Sequence, residues 1–328
     1  MPLQRGFDFF YGIGNNGIDY YTHERYGVPS MFRGNERTEA DKGTYATDLF
    51  KREALRFIGE SKDKPWFLYL AFTAPHGAST FGSDPTDRKS KEGVQAPEKY
   101  VAMYRGKVKD ERLAKYYGAV TCMDEAIGEI LTHLKQSGHG DNTFLMFLSD
   151  NGGSGNGGNA PLKAGKSAMW EGGLRVPFIA WWPGHVPAGK VTDDFLTSLE
   201  MLPTFAAAAG ADSGASFQLA NARRTQAGSL RHVKLDGFDL LPVLRGEKKS
   251  PRSEMFWQRR GDKAARVGQW KWVEMAKGGG LFDLSADLAE TRDLSAEKPD
   301  VLARVKGRFE AWRKEMDAAE PRGPFRDY

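Results

Sequence analysis

Thr143-Phe144-Leu145-Met146-Phe147-Leu148-Ser149-Asp150-Asn151-Gly152-Gly153 is an apolar run that stops abruptly on hydrogen-bonding residues and glycines. The run is too short and too aromatic for a helix and reads as a buried strand from Thr143 to Leu148. Trp66 to Phe72 and Val176 to Trp182 are of the same kind. Helical patterns stand among them. Thr47 to Glu60 places Leu49, Phe50, Leu55 and Ile58 on one face. Asp110 to Gln136 repeats Leu113, Tyr117, Val120, Met123, Ile127, Ile130 and Leu134 at three- and four-residue spacing, with Gly138 as a stop. Strands alternating with helices of this length predict an α/β sandwich on a largely parallel central sheet, with helices on both faces. Such sheets present ligands beyond the carboxyl ends of their strands, where Asp150 and Asn151 fall.

Between Gly210 and Asp236 the composition turns small and polar, and the expected organisation is a core over 1–210, a loop or boundary over 211–236 and a C-terminal subdomain over 237–328. In that subdomain Glu254 to Gln258, Gln269 to Met275 and Leu281 to Leu284 predict a small antiparallel sheet. A terminal helix is expected from about Pro299 to Ala319.

Composition narrows the function. Forty-seven basic against 43 acidic residues leave a net charge of +4, and the basic residues are scattered, so a nucleic-acid partner is not expected. No apolar run is long enough for a membrane-spanning helix, and the first residues lack the pattern of a secretory signal. The single cysteine, Cys122, falls on the buried face of the long helix and reads as a small apolar residue.

Ser149-Asp150-Asn151-Gly152-Gly153 sets a carboxylate beside an amide oxygen, a pair of hard donors suited to Ca²⁺ or Mg²⁺, although the same residues also make ordinary turns. The stretch from Gly152 to Ser167 looks superficially like a phosphate-binding loop. It fails, because Ala160 stands where the required glycine would be and no strand precedes it; a nucleophile elbow at Ser154 fails on Asn156. Ala74-Pro75-His76 closes the strand Trp66 to Phe72, so an imidazole stands at a strand's carboxyl end, able to donate to an anion or to a leaving oxygen. His23, His133, His139, His185 and His232 show no ligand spacing.

Taken in order, these pieces resemble the sulfatase family of the alkaline-phosphatase-like superfamily, in its arylsulfatase and N-acetylgalactosamine-6-sulfatase branch. Arg5 to Gly12 is similar to the family's RGFDxFxG segment, Ala74 to His76 to its APH, and Ser149 to Gly152 to its SDNG. Gly165-Lys166 followed by Trp170 to Pro177 is similar to GK…xEGGxRVP, and Leu281 to Leu284 with Glu290, Thr291 and Leu294 to LYDLxxDPxExxNL. The resemblance implies an alkaline-phosphatase-like sandwich and hydrolysis of aryl or carbohydrate sulfate esters. It further implies that Asp150 and Asn151 ligate Ca²⁺, that Lys166 contacts the sulfate, and that His76 assists at the leaving-group oxygen. The expected partner is a sulfated small molecule or glycan. Relatives are mostly exported, which implies a periplasmic or extracellular parent.

The departures form a block. Family members carry C-x-P-S-R or S-x-P-S-R, whose first residue becomes the formylglycine nucleophile, and this sequence has neither. Its nearest stretch, Gly27-Val28-Pro29-Ser30-Met31, has glycine at the nucleophile position. The Asp-Asp metal pair and the GKWH motif, both expected ahead of Arg5, are also not found. The expectation is a sulfatase-family chain that begins just past them and by itself turns over sulfate esters poorly. Two alternatives stand beside it: a non-catalytic module binding sulfated glycans through Lys163 and Lys166, and a phosphodiesterase or phosphatase of the same superfamily on two metals. Trp170, Trp181 and Trp182 are candidates for stacking on sugar faces, or for core.

Overall fold

A computed structural model describes residues 1–61, 64–80, 93–210 and 235–319. The chain divides into two compact units, 1–143 and 144–328, each described by itself below. The boundary expected over 211–236 falls almost wholly outside the described residues.

In the first unit β1 (Tyr11–Ile13), β4 (Met31–Arg33) and β5 (Glu36–Arg37) form a small antiparallel sheet, and β2 (Glu24–Arg25) pairs with β3 (Val28–Pro29). Helices α1 (Ala46–Glu60), α2 (Glu98–Val101) and α3 (Glu111–Gln136) follow. The two long helices lie where the periodicity puts them. Asp110 caps α3 by accepting from Leu113 N at 2.8 Å, and Gly138 leaves it at φ 80°. Ala54 and Ile58 of α1 meet Ile130 and Leu134 of α3, and Trp66, Leu68, Leu70 and Phe72 pack against them. Residues 66–72 therefore alternate inward and outward as a strand does, with Phe67 and Tyr69 exposed. They form no ladder among the described residues, so the strand expected there is present as a burial pattern and not as a paired strand. Cys122 is buried beside Tyr45 and Ala119, and burial pushes its thiol up to about 11, which makes it an inert core residue.

Glu53 of α1 gathers three arginines. Arg33 binds it at 2.9 and 3.0 Å, Arg52 at 2.9 Å and Arg56 at 3.0 Å. Burial raises this carboxyl, but the guanidinium bonds outweigh burial and hold it at about 2. Asp41, bonded by Arg52 and by the Tyr11 hydroxyl, is also held at about 2 against the desolvation that opposes them. Both carboxyls titrate lower in the folded chain than in the unfolded one. Their contribution is complete above about pH 4.5 and drains away as pH falls toward 2. The thermal midpoint is expected to drop across that window, and Glu53→Gln to make the drop shallower; a pH-stability curve unaffected by that substitution would count against this network.

The second unit holds β6 (Leu145–Leu148), α4 (Glu171–Leu174), β7 (Phe178–Trp181), α5 (Met201–Ala208) and α6 (Leu241–Leu244). Then come β8 (Glu254–Arg259), β9 (Asp262–Val267), β10 (Trp270–Met275), β11 (Gly278–Asp283) and α7 (Pro299–Ala318). β6 and β7 pair antiparallel, Leu145 opposite Trp181 and Leu148 opposite Phe178. The expectation of a mostly parallel sheet assigns no direction to this particular pair, and here the two strands run antiparallel. A parallel pair needs a crossover of a dozen or so residues, usually helical, and residues 149–177 contain only the short α4 before turning back. All ladders among the described residues are antiparallel.

The C-terminal sheet is a meander in the order β11-β10-β9-β8. The sequence predicts three of its strands. β9 escapes because its centre is Ala264 and Ala265, residues without strand preference. Both are fully buried, and on opposite faces. Ala265, Trp272 and Leu281 lie under Val305 and Phe309 of α7, while Ala264, Val273 and Phe282 lie under Met169 and Trp170. Alanine is what a strand covered closely on both faces has room for. No helix among the described residues is long and apolar enough to cross a membrane.

Candidate active site

Beyond Leu148 two loop segments, 149–153 and 163–166, and the short helix α4 over 171–174 are joined backbone to backbone. Gly152 N donates to Gly173 O at 3.1 Å, Lys166 N to Gly153 O at 3.1 Å, and Gly172 N to Lys163 O at 3.0 Å. Asn159 closes the knot: its Oδ1 accepts from Gly153 N at 2.8 Å, and its Nδ2 donates to Gly153 O at 2.8 Å and Ala164 O at 3.0 Å. The glycines are required by this closeness. A Cβ on Gly152 would overlap Gly172 O, one on Gly172 would come within 2.5 Å of Ala164 O, and one on Gly173 within 2.6 Å of Gly165 O. The SDNG, GK and EGG pieces are thus three strands of one knot.

Lys166 stands exposed on the lip of a depression of about 500 Å³ lined by Gly153, Ser154, Gly157, Asn159 and Leu162. Its ammonium makes no hydrogen bond or ion pair among the described residues. The backbone around it is strained, with Ala164 at φ 60° and Ser167 at φ 74°. Asp150 is exposed and Asn151 half-buried at the end of β6, and neither side chain has a partner among the described residues. The structure therefore brings Asp150, Asn151 and Lys166 onto one knot of loops.

His76 belongs to the first unit. Its Nδ1 lies 2.7 Å from Gly77 O, and a carbonyl only accepts, so Nδ1 carries a proton and Nε2 is the nitrogen left to solvent. Tyr20 OH donates to His76 O at 2.8 Å, and the histidine N–H to Thr73 O at 2.9 Å, which fixes the backbone beneath an exposed ring.

The sequence misses a buried charge cluster behind the knot. Lys271 of β10 is fully buried, and its ammonium meets Glu171 at 2.7 Å and Glu290 at 2.9 Å. Glu290 is also fully buried, at φ 54°, and accepts from Glu171 N at 2.6 Å through its other oxygen. Burial raises the Glu290 carboxyl, and the Lys271 ammonium opposes that. Lys163 donates to Glu290 O at 3.1 Å and lies 3.7 Å from the centre of the Trp170 ring. Trp170 packs on Phe282, and Trp182 is buried against Phe144, so these two tryptophans are core residues.

A carboxylate and an amide, both uncommitted, have the donor chemistry Ca²⁺ takes and fit as part of its shell of about six to eight oxygens. Among the described residues no group of three or more His, Cys, Asp or Glu side chains is placed to hold a metal.

Among the described residues Lys166 thus stands unpartnered at a glycine-walled depression, with Asp150 and Asn151 carried by the same knot at the end of β6. The Sulfatase family model matches residues 1–211, and the chain belongs to the sulfatase family. It is 32% identical to Homo sapiens arylsulfatase A over 256 residues, covering 74% of this chain and 43% of that protein. It is 30% identical to Homo sapiens N-acetylgalactosamine-6-sulfatase over 300 residues, covering 83% of this chain and 49% of that protein. The chain thus spans about half the length of these curated relatives. Among solved structures, Ps i-CgsB in complex with k-i-k-neocarrahexaose superposes with a TM-score of 0.76 at 30% identity, over 95% of this chain and 67% of that one. The fold is the alkaline-phosphatase-like α/β sandwich of these relatives, with its small C-terminal antiparallel sheet and terminal helix.

Proposed function

We propose that this chain supplies the sulfate-binding and part of the metal-binding apparatus of a sulfatase that hydrolyses sulfate esters of aryl or carbohydrate substrates. The observation that carries this is Lys166, an unpartnered ammonium held at the mouth of the depression by the knot. Negative charge spreads over the sulfuryl oxygens as the ester S–O bond breaks, and a fixed cation there stabilises that spread more than it stabilises the ground state. Asp150 and Asn151 would hold Ca²⁺, which when bound supplies further positive charge. For His76 the family resemblance implies assistance at the leaving oxygen; with one proton held on Nδ1 toward Gly77 O, it can donate from Nε2 only as the imidazolium.

Substrate class is read from the relatives: Ps i-CgsB is solved in complex with k-i-k-neocarrahexaose, and BT4656 in complex with its substrate D-glucosamine-2-N,6-O-disulfate. A sulfated sugar is accordingly the proposed substrate here. The reading as a glycan-binding module on Lys163 and Lys166 is weakened, because Lys163 is engaged with Glu290 and Trp170.

With neither C-x-P-S-R nor S-x-P-S-R in the sequence, the purified chain is expected to bind inorganic sulfate and to leave 4-nitrophenyl sulfate unhydrolysed. Calorimetric titration checks the first and nitrophenol release the second. Lys166→Ala should weaken sulfate binding by about tenfold, the usual loss for one charge-assisted contact. Unchanged affinity in that variant removes Lys166 from the site.

A further inference from the structure

We infer that Glu290, locked to Lys271, is the positioning residue for Lys166; this rests on the sulfate-binding role proposed for Lys166. Glu290 lies in the tail motif, far along the chain from the loops it meets, and its conformation puts it at a junction. Its carbonyl oxygen holds the Lys163 ammonium at 3.1 Å, and its carboxylate holds Glu171 N at 2.6 Å. Those two residues are the ends of the arc 163–171 that carries Lys166. One residue thus grips both ends of the loop.

The grip is itself held. Lys271 projects from β10 on the face opposite Trp272 and joins both Glu290 and Glu171, all three carrying almost no exposed surface. A lysine buried in the middle of a sheet costs heavily unless its charge is met, and here two carboxylates meet it. A left-handed φ at a glutamate is also unfavourable and persists only where surrounding contacts over-determine it. Neither feature is needed to build a four-stranded meander. Both follow if the sheet serves as a rigid base against which the arc is set, because a loop standing in solvent cannot hold an ammonium within a few tenths of an ångström.

A positioning residue acts only through what it positions. In the full chain, titrated with inorganic sulfate at fixed ionic strength, Glu290→Ala should weaken binding about as much as Lys166→Ala, near tenfold, and Glu290→Gln, which keeps an acceptor for Glu171 N, by about twofold to threefold. In the Lys166→Ala background, Glu290→Ala should add nothing. An additive further loss in the double variant overturns the inference, since it would mean that Glu290 supports the whole depression. So does an undiminished affinity in folded Glu290→Ala. If Glu290→Ala does not fold, Glu290→Gln and Lys271→Met carry the same cycle with less volume removed. Should Lys166→Ala bind sulfate as the unaltered chain does, the role of Lys166 falls, and this inference with it. If Lys166→Ala loses binding while Glu290→Ala keeps it, only the positioning fails.

Discussion

Gly152→Ala is expected to abolish sulfate binding and to lower stability by about 3 kcal/mol, at the upper end of what an added methyl costs in a packed interior. Added to Gly152, a Cβ overlaps Gly172 O and comes within 2.7 Å of the Gly172 carbonyl carbon. Relief has to come from backbone, and that backbone has nowhere to go. Gly172 is itself set against the carbonyls of Lys163 and Ala164, and Gly173 against those of Ala168 and Gly165. Moving any one segment breaks the Gly152–Gly173, Gly172–Lys163 or Lys166–Gly153 hydrogen bond. Each buried amide left unpaired adds its own penalty. Gly158→Ala is the control. It lies in the same glycine-rich stretch, but a Cβ there meets nothing within 4 Å. Chemical unfolding and sulfate titration of the two variants should separate them cleanly; a Gly152→Ala chain as stable and as competent as the Gly158→Ala chain would show that the knot is looser than its geometry says.

The contrast between those glycines marks how far the sequence carries. SDNG, GK and EGG are legible as pieces, because short runs of Asp, Asn and Gly after an apolar strand announce a ligand-bearing loop. That they are one object is not legible, since the joining bonds run between backbones and depend on Asn159, an unremarkable residue in a polar stretch. Long amphipathic helices such as α1 and α3 are read to within a residue at either end, because their periodicity is local. Strand pairing is not local, and so β6 and β7 are found as strands while their pairing with one another is not read from the sequence. Lys271 is invisible for a related reason. A lysine between two tryptophans reads as the solvated face of an alternating strand, and only the return of Glu171 and Glu290 from distant parts of the chain turns that face inward.

Glu200→Ala is expected to cost about 3–5 kcal/mol, the range found when one partner of a buried ion pair is removed. Glu200 is fully buried at the start of α5 and pairs with Arg252, whose side chain is nearly as enclosed. Arg252 Nε donates to Oε1 at 2.8 Å, while Oε2 accepts from Thr197 N at 2.6 Å and Thr197 Oγ1 at 2.7 Å. The same junction takes in residues 236–240: Arg252 donates to Asp236 O at 3.0 Å, and Thr204 Oγ1, which donates to Glu200 O, accepts from Leu240 N at 2.8 Å. Removing the carboxylate strands a guanidinium in a nearly closed site and leaves Thr197 N without its acceptor. Glu200→Gln keeps an acceptor and loses only the charge, so it should cost less. The double variant Glu200→Ala with Arg252→Met should recover part of the loss, because it removes the stranded cation. None of these residues belongs to the knot around Lys166. Sulfate affinity measured well below the unfolding temperature should therefore stay within about twofold of the unaltered chain in every one of them. A parallel fall in stability and affinity would mean that the two regions are coupled, and that Lys166 owes its position to more of the unit than Glu290 and Lys271.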